Sequence, residues 1–452
     1  MKLRSNCLWC ATSIATLMLV LNASWAQEAQ EAQEDWTAFR GADARGVADN
    51  PGLKTKWSID ENLAWRREIP GRGWSSPIVT KGRIILTTVT RAEGEPEFAK
   101  PGLYFGGNRP KPPTVEHEWV VVCVDLESGD IAWTKTLHTA VPTTPRHIKN
   151  SYGSETPVTD GENIYVLFGD IGCYCLSLEG EILWKKELPA CRTRYGWGTA
   201  SSPILHKDQL IIVNDNEDQS YLVALNKRTG EEIWRTERDE KSNWATPFIW
   251  ENNLRTEIIT PGTGKVRSYD LEGKLLYEFG GCSSITIARP YAVHGLLFVS
   301  SGYIGDTKRP IYAIKPGASG DISLKTGATS SEHIVWSQKK GAPYNPSTIV
   351  YGDLLYVLHD RGFTEVRDAR TGKPVHPKAR IPGAKAFTAS PWAANGNIYF
   401  LDEFGATFVY SAGPDFKLIG KNELPEEMYM ATPAIAGNRL LIRSDKALYC
   451  IK

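Results

Sequence analysis

The chain has 452 residues, with 52 Lys plus Arg against 52 Asp plus Glu. That formal net charge of zero argues against a nucleic-acid binder, which carries a basic excess. Hydrophobic content is 41% against 23% charged, which excludes a disordered chain, and 40 Gly, 27 Pro, 15 Trp and 18 Tyr favour many short strands and turns over long helices.

The first element in chain order is a targeting segment. Lys2 and Arg4 precede a mostly apolar stretch from Cys10 to Leu21, and Ser24-Trp25-Ala26 places small residues where a signal peptidase reads. Residues 1–26 are therefore expected to be a signal peptide, which makes the mature chain periplasmic or extracellular and soluble. The apolar run is too short to span a bilayer, and no later stretch is long enough. Residues 27–61 follow as a tether and N-terminal segment that opens on the polar, acidic QEAQEAQED.

From residue 62 to 452 one unit recurs. It opens with a small residue and Pro before an apolar pair, then carries a turn, a β-rich run, a second strand, another turn, and a strand ending in a large ring. SSPIVTKGRIILTTV from Ser75, ETPVTDGENIYVLFG from Glu155 and SSPILHKDQLIIVND from Ser201 are clear copies. The marker prolines are Pro77, Pro157, Pro203, Pro247, Pro290, Pro346, Pro391 and Pro433. Most intervals lie near 44 residues; the first holds a large insertion, from Arg91 to His117, and the fifth a smaller one. Alternating apolar residues such as Ile164, Val166 and Phe168 give each strand one face for a neighbouring sheet. Trp133, Trp184, Trp234, Tyr277 and Trp336 end the fourth strands, and His376 and Ile419 hold that place in the sixth and seventh units. Radial repetition of four-stranded antiparallel sheets predicts an all-β fold, an eight-bladed β-propeller; seven blades follow if the fifth unit is misread. The eighth unit lacks a fourth strand, and Asn62–Arg67, with Trp65 in the ring position, is expected to supply it by pairing with the strand ending Leu448-Tyr449-Cys450.

The units running from Val122 to Trp133 and from Ala224 to Trp234 resemble the pyrroloquinoline-quinone (PQQ) repeat, A-x-D-x-x-T-G-x-x-x-W. The chain thus resembles PQQ-like β-propeller proteins of bacterial secreted type. The resemblance implies the propeller fold. It also implies a family holding quinoprotein dehydrogenases, with PQQ and calcium as cofactors, beside a lipoprotein of outer-membrane assembly. The adjacent cysteines and the C-x-x-C-H haem motif seen in the enzymatic branch are absent from this sequence.

Other motifs point to little chemistry. His117-Glu118 lacks the second zinc histidine, since Val121 stands four residues on, and Gly262-Thr263-Gly264-Lys265 lacks the rest of a P-loop and reads as a hairpin turn. Asn214 to Asp218 reads as a self-bonded polar turn before a calcium loop. Cys123, Cys175 and Cys450 share a repeat position held elsewhere by Ala224, Ser268 and Ala313, so they read as small packing residues. Cys173 and Cys191 fall in loops at the same end of one blade, where an oxidising compartment permits a disulfide.

Loops between blades, and those between second and third strands, share one end of a propeller. That end is expected to gather Arg72, Trp74, Tyr152, Glu155, Arg194, Trp197, Asp215, Lys241, Trp244, Tyr303, Asp306, His359, Asp360 and Arg361. Aromatics interleaved with charges suit a polar ligand; Trp74, Trp197 and Trp244 equally read as packing plugs of the channel rim. The expected function is a monomeric, non-enzymatic scaffold binding a protein, peptide or glycan. A PQQ-dependent dehydrogenase, and a hydrolase or lyase using the charged loops, stand as alternatives.

Overall fold

A computed structural model describes residues 35–92, 101–104 and 111–452. The signal peptide, the first eight residues of the tether and most of the Arg91–His117 insertion lie outside the described residues. Eight sheets form a closed ring, each built on four antiparallel strands, and one of them carries a fifth. The first blade comprises Ile78–Thr80, Arg83–Arg91, His117–Asp125 and Ile131–Ala140. The eighth comprises Ala434–Ala436, Arg439–Arg443, Ala447–Ile451 and, from the other end of the chain, Leu63–Glu68. The register of this closure sets Trp65 against Cys450, Arg66 against Tyr449 and Arg67 against Leu448.

The repeat signature follows from how one blade docks on the next. Where the fourth strand carries an indole, the ring stands directly across from a small residue of the third: Trp133 opposite Cys123, Trp184 opposite Cys175, Trp234 opposite Ala224, Trp336 opposite Ala313; in blade six His376 faces Val366 instead. The indole then lies over the turn glycine of the following blade and donates Nε1–H to a carbonyl of that turn. Trp65 reaches Leu126 O at 3.2 Å, Trp133 reaches Leu178 O at 3.0 Å, Trp184 reaches Lys227 O at 2.9 Å, Trp234 reaches Leu271 O at 2.8 Å, and Trp336 reaches Ala369 O at 2.9 Å. The Thr-Gly turn and the Trp of the motif are thus two halves of one inter-blade contact. A Cβ on Gly230, whose φ is +73°, would stand 2.6 Å from the Trp184 ring. Gly230→Ala is therefore expected to cost about 1–3 kcal/mol, through left-handed backbone and a displaced indole. Urea unfolding checks this; Gly264, with nothing near its Cβ position, should lose only the backbone part.

The smaller insertion adds a strand rather than a loop. Gly320–Asp321 pairs in parallel with the edge of blade four, Tyr277 opposite Gly320, giving that sheet five strands. One marker also needs correction: the inner strand of blade six begins at Ile349, so Thr348, not Pro346, stands where Pro77 stands in blade one. The Gly262–Lys265 segment is a hairpin turn, with Thr263 N–H donating to Glu240 Oε1 at 2.9 Å.

The stretch after the tether runs under the ring and plugs it. Trp36 exchanges two backbone hydrogen bonds with Val79 in blade one, and Thr159 N in blade two donates to Thr37 O. Arg40 Nη2 reaches Thr348 O in blade six at 3.1 Å, and Ala48 pairs with Ala393 in blade seven. Trp57 then stacks on Tyr399 before the chain turns out to the closing strand. Bare backbone crossing a channel must find partners for its amides and carbonyls; blades one, two and seven supply them here, and the Arg40 guanidinium ties the segment to blade six.

Candidate functional site

The inner strands begin at one end of the channel, each preceded by a short side chain. That position is Ser76, Thr156, Ser202, Thr246, Ser347, Ser390 or Thr432 in seven blades and Arg289 in the fifth. The hydroxyls stitch the ring together. Ser76 N donates to Thr156 Oγ1 (3.0 Å), Thr156 N to Ser202 Oγ (2.9 Å) and Ser202 N to Thr246 Oγ1 (3.0 Å). On the other side Arg289 N donates to Ser347 Oγ (3.0 Å), Ser347 N to Ser390 Oγ (2.9 Å) and Ser390 N to Thr432 Oγ1 (3.0 Å). Each accepting hydroxyl spends a lone pair on its neighbour and keeps its own proton to donate.

All seven hydroxyls line one cavity of about 220 Å³ at the end where the inter-blade loops meet. Phe39, from the plug, lies on its wall, as do Trp74, Trp197, Trp244, Tyr104, Tyr344, His147 and Met430. The indoles are held by their N–H groups: Trp74 Nε1 donates to Lys149 O at 2.8 Å, and Trp244 Nε1 to Gly198 O at 2.7 Å. Trp197 packs edge-on against His147, with ring centroids 5.1 Å apart, and lies 5.9 Å from Trp244. Burial, reinforced by Lys149 and Arg146, pushes His147 down to about 4, so it is a neutral ring at physiological pH.

Lys149 is the one charged side chain among the described lining residues, and it is already paired. Its Nζ lies 2.6 Å from Glu403 Oε1 with both side chains buried. Gly102, from the long insertion, joins the pair: its carbonyl accepts from Lys149 Nζ at 2.7 Å and its N–H donates to Glu403 Oε2 at 2.6 Å. Thr388 Oγ1 completes the group on Glu403 at 2.6 Å. This latch fixes residues 101–104 of the insertion over the rim.

The residues nominated from sequence divide sharply. Trp74, Trp197 and Trp244 stand around open space rather than filling it. Tyr303 packs behind the wall, 5.2 Å from Tyr344. The charged nominees hold loops instead. Asp215 is fully buried on Arg238, with oxygens 2.8 and 3.0 Å from Nε and Nη2. Asp360 accepts from Tyr344 N, Asn345 N and Asn345 Nδ2, each within 2.9 Å. Asp306 accepts from Ser284 N, Arg194 donates to Ser284 O, and Lys241 donates to Glu217 O. Arg72 is buried against Val89, and Tyr152 donates its hydroxyl proton to Thr144 O at 2.7 Å. His359 is buried and held neutral, pushed down to about 3 by burial with Lys378, Arg309 and Arg367 nearby. Arg361 is exposed. Cys173 and Cys191, suggested as a pair, are both free thiols: Cys173 packs inside its sheet and Cys191 Sγ faces Pro189 O. The Asn214–Asp218 turn is self-bonded, with Asn216 Nδ2 reaching the Asn214 and Gln219 carbonyls.

Glu155 is completely buried without a cation, held by Thr199 Oγ1 at 2.5 Å and Gly169 N at 3.3 Å, and burial raises its carboxyl to about 7. A carboxyl raised in the fold binds its proton more tightly than in the unfolded chain. Its contribution is therefore complete at low pH and lost as pH rises from about 4.5 to about 7, roughly 3 kcal/mol in all. Glu155→Gln should flatten stability over that window and gain most above pH 7, as read by thermal unfolding across pH. His147 and His359 act oppositely, losing stability as pH falls below about 6.5.

Comparison with known proteins places this geometry. The family described as outer membrane protein assembly factor BamB matches residues 117–451, and the chain belongs to it. BamB from Moraxella catarrhalis superposes with a TM-score of 0.54 at 12% identity, covering 81% of this chain and 99% of that one. A europium-containing methanol dehydrogenase gives 0.58 at 11% identity, covering 92% and 90%. The quinohemoprotein alcohol dehydrogenase from Comamonas testosteroni gives 0.57 at 11% identity, covering 92% and 80%. All are PQQ-repeat propellers, and at these identities the likeness concerns the fold. A search of curated proteins finds no match.

The residues present do not fit PQQ. That cofactor carries three carboxylates and an ortho-quinone that chelates a divalent cation. The described lining offers one ammonium group, committed to Glu403, and no carboxylate. No cluster of three His, Cys, Asp or Glu able to hold a metal occurs among the described residues.

Proposed function

We propose that this chain is an exported, non-enzymatic binding protein whose funnel takes an uncharged, hydroxyl-rich ligand, a segment of glycan. The observation that carries this reading is the pairing of an indole rim with a wall of O–H donors in a cavity almost free of charge. Flat aromatic faces stack on the C–H faces of sugar rings, and fixed hydroxyls select their oxygens. The leader-like first 26 residues support export. A segment of protein chain is a second reading. It is favoured by Val141, Ile148 and Tyr195, apolar side chains that stand exposed on the loops around the mouth, and by a family described through an assembly factor.

Calorimetric titration with neutral oligosaccharides, and with extended peptides as the competing class, tests it. Saturable binding of oligosaccharides is expected, weakened about 10-fold or more in Trp244→Ala, since truncating a central aromatic anchor costs upwards of about 1.4 kcal/mol. Binding of peptides alone would replace the glycan reading. Dye reduction with alcohols or sugars after addition of PQQ and calcium would overturn the non-enzymatic one.

A further inference from the structure

Arg289 breaks the ring of hydroxyls, and its side chain does not stand alone. Its Nη1 donates to Phe39 O in the plug. From the plug itself, Arg40 wraps its own turn, Nε to Ala44 O at 3.0 Å and Nη2 to Arg45 O at 2.9 Å, with its guanidinium 5.9 Å from the Tyr291 ring. Arg45 completes the group. Arg40 and Arg45 both act electrostatically on the Tyr291 phenol, and the Arg40 charge acts on Arg289, so the three cations lie where the plug abuts blades five and six, beside the Tyr291–Thr348 hydroxyl pair at 3.1 Å. The carboxylate nearest to them is Asp43, more than half exposed and 3.7 Å from Arg45 Nη1.

Hydrogen bonding leaves three N–H groups over. Arg40 Nη1, Arg45 Nε and Arg289 Nε are each buried and have no hydrogen-bond partner within the protein. Arg40 is wholly buried and Arg289 is 5% exposed. Burial lowers Arg289 to about 9, with the Arg40 charge acting in the same direction, and Arg40 to about 10. Buried guanidinium groups are normally matched by carboxylate or another anion, and orphaned donors of this kind call for a ligand.

We propose that Arg40, Arg45 and Arg289 form a site for a small inorganic anion that staples the N-terminal plug to blades five and six. The site is separate from the funnel ligand, so it stands or falls independently of the glycan reading. Three N–H donors from three side chains suit either a halide or one face of a tetrahedral oxyanion.

The test uses the purified mature chain. Thermal unfolding is followed in gluconate buffer at constant ionic strength while chloride, or inorganic phosphate in a second series, replaces gluconate. A saturable rise in Tm is expected with at least one ion, lost in Arg289→Met and reduced in the milder, partly exposed Arg45→Met. Crystals of the unmodified protein soaked in bromide supply a readout that needs no variant. An anomalous peak within hydrogen-bond distance of Arg40 Nη1 and Arg289 Nε is expected. Absence of that peak together with no saturable rise would overturn the proposal. So would equal rises in the native protein and both variants, because the ion would then act elsewhere.

Discussion

Replacing Asp215 with alanine is expected to destabilise the propeller by roughly 3–5 kcal/mol, the cost of leaving a buried charge without its partner. The geometry sets the size. Arg238 and Asp215 are both 0% exposed and meet through two N–H···O bonds of 2.8 and 3.0 Å. Arg238 Nη1 also donates to Thr260 Oγ1 and Tyr269 Oη at 2.8 Å each, tying blade three to blade four. Asn243 Nδ2 donates to Asp215 Oδ2 at 3.0 Å, which places an inter-blade loop. Glu240 and Arg267 continue the network nearby, so the stranded guanidinium finds no free carboxylate. Guanidinium-chloride unfolding at pH 7 measures the loss. The double change Asp215→Leu with Arg238→Met should recover much of it, because removing both charges removes the stranded one. A loss below about 1 kcal/mol in the single variant would show that water reaches the pair.

That pair also shows which parts of the molecule were legible in the sequence. The ring count and closure were, because the contact that builds them is local and repeated. The turn glycine and the indole of the blade before it recur at similar spacing, and a small residue such as Cys123 or Cys175 stands across from each indole. The aromatic rim was legible too, since Trp74, Trp197 and Trp244 each lie just ahead of a marker proline. Charge misled. On converging loops Asp215, Asp306 and Asp360 looked available, yet loop backbone must satisfy its own amides, and a carboxylate is the acceptor that does so. The cavity's own features escaped for a different reason. Phe39 reaches it only because the N-terminal stretch crosses the channel, and Lys149 and Glu403 are 254 residues apart. The hydroxyl before seven of the eight inner strands was in plain view, as in SSP and TP. It read as a small residue because its use appears only when eight copies face one another.

Truncating the chain to begin at Ile69 is expected to lower Tm sharply and to promote association into larger species. The truncation removes both the plug and the strand Leu63–Glu68 that completes blade eight. The bared strand Ala447–Ile451 is buried and apolar and would present a row of unpaired amides and carbonyls, the template for edge-to-edge association. The closing strand also carries the indole that docks blade eight on blade one, with Trp65 over Gly129. Arg67 adds bonds of 2.5 Å to Gly129 O and Asp130 Oδ1, and Arg66 reaches Glu427 at 3.2 Å. Trp65→Ala isolates the docking contribution without baring the edge. It should cost about 3 kcal/mol, as for other large aromatic truncations at half-buried packing sites, and stay monomeric. Light scattering coupled to gel filtration separates the two effects. Association in the truncated chain with none in Trp65→Ala would assign monomer status to the covered edge. Association in both would assign it to the blade-eight to blade-one contact.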